Sequence, residues 1–222
     1  MGYLPFYLVA FAAAYALQYP WLLGLGLVVY LSRPWIPDPY LFFKHLRRVR
    51  LLKAEIAQNP ENLVARRDLA KVWLEKRRPR RAIPLLESAR RRAPDDGELA
   101  LLYGKALVAS GRPEEALSPL IAAAATNEKM MYGEAFLVAG RALDKLRRFA
   151  EAEDAFSRYV RVNSSSVEGF VRLALVRREQ KDQAGARAAL GEALQTFAHA
   201  PRFHRRKELR WWARARLMSL GF

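Results

Sequence analysis

Residues 103–123, YGKALVASGRPEEALSPLIAA, contain the pattern that decides the fold. Gly104 is followed twelve residues later by Ala116, and four residues after that by Leu120. Two helices can approach closely where one carries a small residue and the other places a large apolar residue against it. Gly111 and Pro113 lie between these positions and favour a turn. The stretch therefore predicts a helical hairpin, two packed helices joined by a short turn.

The same spacing occurs four times along the chain. Small residues recur at intervals of 34, 36 and 34 residues, at Ala82, Ala116, Ala152 and Ala186. Each has a second small residue twelve positions earlier and a large apolar residue four positions later, in the pairs Ala70 and Leu86, Gly104 and Leu120, Gly140 and Phe156, Ala174 and Leu190. A period of this length predicts hairpins that stack on one another in a solenoid.

These columns resemble the tetratricopeptide repeat, which has a 34-residue period and small residues at the same positions. The third repeat, for example, matches the family pattern at Phe136, Ala139, Gly140, Leu143, Ala152, Phe156 and Tyr159. The resemblance covers residues 60–198, with a two-residue insertion near residues 124–132 and Ser164 where the family has a proline. It implies an all-α solenoid of helical hairpins that binds other proteins.

The first 32 residues contain no Asp, Glu, Lys, Arg or His, and residues 3–31 are almost continuously apolar. This composition predicts a membrane anchor. Pro20 and the glycines at 24 and 26 leave two forms open, a single kinked span and a short hairpin. A cleaved signal peptide with a site at residues 14–16 is disfavoured, because no basic residue precedes the apolar run and its most apolar part follows that site.

Two further helices are predicted beside the repeats. Residues 41–58 place Leu46, Val49, Leu52 and Ile56 on one stripe that can cover the first repeat. Residues 202–220 carry a second stripe typical of a C-terminal capping helix, formed by Leu209, Trp212, Ala213, Leu217 and Leu220. The predicted organisation is an anchor at 1–32, a linker and basic helix at 33–59, four repeats at 60–198, and a basic capping helix at 199–222.

The composition argues against an enzyme and against a metal or cofactor site. The chain has no cysteine, and its three histidines, His45, His199 and His204, are scattered among basic residues. It contains no phosphate-binding loop, dinucleotide fingerprint or hydrolase nucleophile motif. We therefore expect no catalytic activity, no cofactor, no metal and no small-molecule substrate.

The formal net charge of +16 is concentrated at the two ends of the repeats. Residues 33–59 carry six basic and two acidic residues, residues 199–222 carry seven and one, and residues 60–198 carry 25 and 19. Basic residues that follow the anchor place the repeats in the cytoplasm, at a bacterial cytoplasmic membrane. The ends predict contacts with anionic lipid through Arg47, Arg48, Arg50, Lys53, Arg205, Arg206, Arg210 and Trp211. In the last helix, Trp212 is assigned to the packed side and Trp211 to the free side.

A column of cations is predicted on the first helices of the repeats. Lys71, Lys105 and Arg141 occupy one position in three repeats, and Leu175 interrupts the column in the fourth. The resemblance implies that this position faces a ligand, with Arg67, Arg172 and Arg178 as neighbours. These cations predict a groove for an acidic or C-terminal segment of a partner protein. The alternative is that they are solvated helix faces.

Together these features predict a membrane-anchored, cytoplasm-facing scaffold or adaptor that binds other proteins to assemble or localise a membrane complex. It resembles bacterial inner-membrane repeat proteins with that task. Two alternatives stay open. One is binding of anionic lipid or, less favoured, nucleic acid through the basic end helices. The other is an integral subunit of a membrane machine, whose anchor would make specific contacts.

Overall fold

The structure, a computed structural model, describes Trp21 and residues 39–220, with the side chains of the first helix described from Arg47 onward. Residues 39–220 form ten α-helices and one short 3-10 helix at Met130–Gly133. The α-helices are α1 (Pro39–Gln58), α2 (Leu63–Glu75), α3 (Pro79–Arg92), α4 (Gly97–Ala109), α5 (Pro113–Thr126), α6 (Glu134–Lys145), α7 (Phe149–Val162), α8 (Val167–Glu179), α9 (Gln183–His199) and α10 (Arg202–Leu220).

The chain divides into two compact units, residues 1–51 and residues 52–222. In the first unit the structure describes Trp21 and the first part of α1. Among the helices of residues 39–220, none combines the length and the apolar character needed to cross a membrane. The predicted anchor at residues 1–32 lies outside the described residues apart from Trp21, so the anchor and the division of the chain around it stay predictions.

In the second unit the helices pack as consecutive hairpins. Helix α2 pairs with α3, α4 with α5, α6 with α7, and α8 with α9. Each second helix also contacts the first helix of the next hairpin, and α10 contacts both α8 and α9. The first helices α2, α4 and α6 contact one another in order along the stack. This arrangement confirms the predicted all-α solenoid of tetratricopeptide type.

The small residues of the sequence pattern lie where the two helices of each hairpin cross. A Cβ added at Gly104 would lie 2.5 Å from Cγ of Leu120, and one added at Gly140 would lie 2.6 Å from Cε1 of Phe156. Both distances are too short for two non-bonded carbon atoms. The large side chain therefore leaves no room for any side chain at the facing glycine. The four alanines of the second helices are fully buried, at Ala82, Ala116, Ala152 and Ala186.

Short polar side chains fix where three of the first helices begin. Asn62, Asp96 and Ser166 each accept a hydrogen bond from the backbone N–H three residues later, at 2.9, 3.0 and 3.1 Å. These bonds satisfy donors that have no partner inside the helix. The second helices α3 and α5 begin instead with Pro79 and Pro113. Proline suits this position because its missing N–H would have no partner there.

The predicted insertion lies between α5 and α6. It includes Met131, Tyr132 and Gly133, whose φ angles are 48°, 58° and 75°. The left-handed region is unusual for residues with a side chain, and here it is occupied at two such residues in succession. Helix α6 begins after Gly133 with no side-chain cap. The insertion therefore replaces the capped turn that precedes α2, α4 and α8.

The terminal helices agree with the sequence prediction to different extents. In α1, Leu52 of the predicted stripe is buried and Ile56 is half-buried. In α10 the predicted packing face is wrong for Leu209, Leu217 and Leu220, which are exposed, whereas Trp211 and Ala215 are buried. Trp212 of the predicted stripe is half-buried and packs on α9. Both sides of α10 carry apolar residues, so the spacing alone could not choose between them. The large indole of Trp211, which packs with the core of α8 and α9, determines the face.

We predict opposite effects of alanine at two helical glycines, Gly140 and Gly191. The Gly140→Ala variant should unfold at lower urea concentration, with a loss of about 1–2 kcal/mol, because overpacking against Phe156 outweighs the gain in helix propensity. Gly191 lies in α9 with no atom within 4 Å of an added Cβ. The Gly191→Ala variant should gain up to about 1 kcal/mol. Equal stabilisation of both variants would contradict the close contact at Gly140.

Candidate protein-binding groove

The candidate site is the surface formed by the first helices α2, α4, α6 and α8, which we call the groove. The repeat period places one residue of each helix at the same position along the stack, namely Lys71, Lys105, Arg141 and Leu175. Three of these four side chains are cations, as the sequence predicts. Their surroundings differ from one repeat to the next.

In the first two repeats the cations form ion pairs with the next repeat. Lys71 Nζ lies 2.5 Å from Glu98 Oε1, and Arg67 donates to the other oxygen of the same carboxylate at 3.0 Å. Lys105 Nζ lies 2.6 Å from Glu134 Oε1. All five side chains are half-buried, where ion pairs are screened less than on an open surface. These cations therefore bind adjacent first helices together and are largely neutralised.

Arg141 does not continue this series. The carboxylate of Glu168, which occupies the position of Glu98 and Glu134 in the next helix, accepts instead from Nε of Arg172 at 2.7 Å. Among the side chains described from residue 47 to residue 220, none forms a hydrogen bond or ion pair with Arg141. The groove therefore carries a guanidinium without a hydrogen-bonded partner at the step from α6 to α8.

Charges of both signs surround Arg141. Its side chain keeps contact with solvent, but burial by the neighbouring helices lowers its pKa, and the nearby Arg172 cation lowers that pKa further. Arg210 of α10 contributes in the same direction, whereas the carboxylates of Glu168 and Glu134 raise the pKa. An arginine nevertheless stays protonated throughout the physiological range. A carboxylate at this place would relieve the repulsion and accept two parallel hydrogen bonds from the guanidinium.

The C-terminal end of the groove is organised by Trp211. The guanidinium groups of Arg172, Arg210 and Arg214 lie 4.8, 5.4 and 5.9 Å from the centre of its ring. The expectation that Trp211 is the free tryptophan is wrong, because it is buried. Trp212 is half-buried and stacks on Phe197 of α9, with ring centres 5.2 Å apart. Both indoles therefore contribute to the attachment of α10.

The other predicted contact residues are dispersed. Arg178 is exposed in the last turn of α8, where its charge favours the helix C-terminus. Arg205 donates to the backbone oxygens of Ala198 and Ala200, at 2.6 and 2.8 Å, so it closes the turn between α9 and α10. The remaining predicted lipid contacts lie along α1 and α10. All of them are exposed, namely Arg47, Arg48, Arg50, Lys53, Arg206 and Arg210. Lys53 is the one of the α1 residues that belongs to the second unit.

The glutamates of the groove were missed in the sequence. Glu98, Glu134 and Glu168 recur at intervals of 36 and 34 residues, in register with the repeats. Each lies seven positions before the cation column in its own helix, which is two helical turns and hence the same face. This spacing places a glutamate within reach of the cation of the preceding repeat, and two of the three cations pair in this way.

A second concavity of 580 Å³ lies between α5, α6 and α7. Its lining is mostly small and apolar, with Phe136 and the alanines of α5 and α6. Two of its acidic side chains already pair with arginines, Glu151 with Arg148 at 2.7 Å and Asp154 with Arg158 at 2.9 Å. The cavity therefore offers less charge for recognising a ligand than the groove does. Across residues 39–220 no three His, Asp or Glu side chains are placed to hold a metal ion.

We predict that Lys105→Ala and Arg141→Ala differ in their effects on stability. Loss of Lys105 should reduce the free energy of unfolding by about 0.5–1 kcal/mol at low salt, and by less at high salt, because the pair with Glu134 is half-buried. Loss of Arg141 should change it by less than about 0.5 kcal/mol. Urea unfolding at two salt concentrations measures both. Equal losses would show that Arg141 also has a partner within the fold.

The comparisons with known proteins agree with this architecture. Models of the tetratricopeptide repeat match residues 49–105, 74–129 and 137–201. No curated protein sequence matches the chain.

Several solved structures share the fold. One is the crystal structure of MamA, with TM-score 0.62 and 19% identity over 67% of this chain and 80% of that one. Another is YrrB, described as a TPR protein with an unusual peptide-binding site, with TM-score 0.60 and 20% identity over 71% of this chain and 80% of that one. A third is a thermophilic TPR protein of Thermus thermophilus, with TM-score 0.60 and 21% identity over 82% of this chain and 94% of that one. With its repeats matched over most of residues 49–201, the chain belongs to the tetratricopeptide repeat family.

Proposed function

We propose that this chain is a membrane-anchored, cytoplasm-facing scaffold without catalytic activity, which binds an acidic segment of a partner protein and thereby assembles or localises a membrane complex. The fold itself indicates a protein-interaction scaffold, since stacked repeats form an extended surface rather than a reaction chamber. The proposal adds the chemistry of the partner and the place of binding.

The observation that carries the proposal is the unpaired Arg141. Lys71 and Lys105 are neutralised by Glu98 and Glu134, so a ligand that bound there would have to replace an existing ion pair. At Arg141 a ligand carboxylate would replace nothing and would reduce the repulsion from Arg172. The preferred ligand is therefore a side-chain or C-terminal carboxylate in the half of the groove between α6 and α10. The peptide-binding site of YrrB is a precedent for such ligands on this fold.

The apolar segment at residues 1–32 supports the anchor, and the basic residues that follow it support a cytoplasmic groove. Confinement to a membrane raises the effective concentration of the groove near partners in the same bilayer. A scaffold that binds each partner weakly can therefore still hold a complex together.

Deletion of residues 1–32 should test the anchor. We expect the full chain to stay in the membrane fraction after alkaline carbonate extraction and the truncated chain to become extractable. A chimaera with an unrelated membrane helix should stay in the membrane and keep its partners. Loss of partners from the chimaera would favour an integral subunit, and extraction of the intact chain would refute the anchor.

Charge reversal at Arg141 should test the groove. The probe is a fluorescent hexaglutamate peptide with a free C-terminus, titrated into the detergent-solubilised chain. The Arg141→Glu variant should bind it at least about tenfold more weakly, because a charged hydrogen bond becomes a repulsion. Arg178→Glu is the matched control, since it makes the same charge change at an exposed residue of α8. If both variants weakened binding equally, the loss would be explained by the change in net charge alone, and this would contradict a binding site at Arg141.

A further inference from the structure

We propose that the outward face of α10 lies in the headgroup region of an anionic lipid bilayer. The outward face means the side of α10 opposite Trp211 and Ala215. This inference rests on the membrane attachment proposed above and goes beyond partner binding, because it assigns a second surface with a different ligand.

The outward face carries several large apolar side chains that no other part of the described chain covers. Phe203, Leu209, Leu217 and Leu220 are 71%, 53%, 71% and 72% exposed. Leu209, Leu217 and Leu220 follow one another at helical spacing and share one side with Ala213. Between residues 47 and 220, no other α-helix exposes more than one large apolar side chain. The outer surface of a terminal repeat is normally polar, since no further repeat covers it.

Exposed cations lie on this face and along its flanks. At about 100° per residue, Arg206 and Arg216 lie beside the leucines, and Lys207, Arg210 and Arg214, which are also exposed, lie on the flank nearer to Trp211. Glu208, which is the single acidic residue of α10, is half-buried and accepts a hydrogen bond from the backbone N–H of Glu168 at 3.1 Å. The outward side of α10 therefore presents apolar side chains between cations, with no carboxylate to neutralise them.

This combination fits an anionic lipid surface. Helices that lie in the membrane interface insert apolar side chains among the acyl chains and direct Lys and Arg to the phosphates. Arg206 and Arg216 supply such cations beside the apolar stripe, and Arg210 and Arg214, which stack on Trp211, lie at its flank. A nucleic-acid backbone would satisfy the cations but would leave three exposed leucines without a partner. A second copy of the chain is also less suited, because the acidic side chains Glu151 and Asp154 at its apolar cavity already have arginine partners.

The absence of cysteine from the chain makes a site-specific probe available. A nitroxide is attached to Leu217→Cys in the otherwise complete chain, reconstituted into vesicles of phosphatidylcholine with or without phosphatidylglycerol. The accessibility of the label to oxygen, which concentrates in lipid, is compared with its accessibility to a water-soluble nickel complex. Ile121→Cys is the matched control, since Ile121 is an exposed apolar residue of α5 with similar exposure.

We expect the label at residue 217 to favour oxygen in anionic vesicles and the label at residue 121 to favour the nickel complex in both kinds of vesicle. Arg206→Glu, added to Leu217→Cys, should reduce the ratio of inserted to aqueous label at least about fivefold, because each basic residue at an anionic surface contributes about that factor. Arg206 is exposed, so this change should leave the fold intact.

Two results would overturn the inference. A label at residue 217 as accessible to nickel as the label at residue 121 would show that the face stays in water. A label protected from both reagents would show that protein covers it, as in a contact between copies. The anchor is judged separately by alkaline flotation of the same vesicles. If the chain floats with the vesicles while the label at residue 217 stays in water, the anchor is supported and this inference is refuted. If the label inserts but alkali extracts the chain, the inference is supported and the anchor is refuted.

Discussion

The fold depends on the close approach of two helices at one small residue in each hairpin. At Gly104 and Gly140 the facing Leu120 and Phe156 fill the space that a Cβ would need. Packing of this density fixes the crossing of the helices, because a shift of either helix opens a void or a clash. The crossing in turn fixes the direction of the next hairpin, so a single local contact, repeated four times, determines the whole stack. The alanines of the second helices are fully buried and belong to the same close packing.

The electrostatics of the groove follow from that stacking. Because the crossing repeats, a cation near the end of one first helix always meets the beginning of the next first helix, where a glutamate also benefits from the helix dipole. Lys71 with Glu98 and Lys105 with Glu134 realise this arrangement. At the third step Arg172 lies one turn after Glu168 and takes its carboxylate within α8. A single residue on the neighbouring helix thus converts a structural cation into one that is available to a ligand.

The helical hairpins could be predicted from the sequence because their contacts are periodic, and a period averages out local ambiguity. Three of the turns inside the hairpins have Arg77, Arg147 or Lys181 in the left-handed conformation, where the fourth has Gly111. Helix α10 occurs once and both of its sides carry apolar residues, so its packed face could not be predicted, and the choice depends on Trp211 and Glu208 meeting α8. In the groove, the cations were predictable by position and their pairing was not, because glutamates at equivalent positions pair across repeats at Glu98 and Glu134 but within their own helix at Glu168.

The end of the stack explains where the surplus charge lies. Within the repeats, α2 and α4 each receive a glutamate from the next first helix, and residues 60–198 contain 25 basic and 19 acidic residues. After α8 no further repeat follows in the described chain up to residue 220, and α10 supplies one carboxylate, Glu208. That carboxylate accepts from the N-terminus of α8, and burial raises its pKa. Arg172, Arg210 and Arg214 lie around Trp211, with Arg172 also paired to Glu168, and Arg141 lies close enough to Arg172 and Arg210 for their charges to lower its pKa. A ligand carboxylate at Arg141 and lipid phosphates at the exposed cations of α10 would each reduce this excess of positive charge.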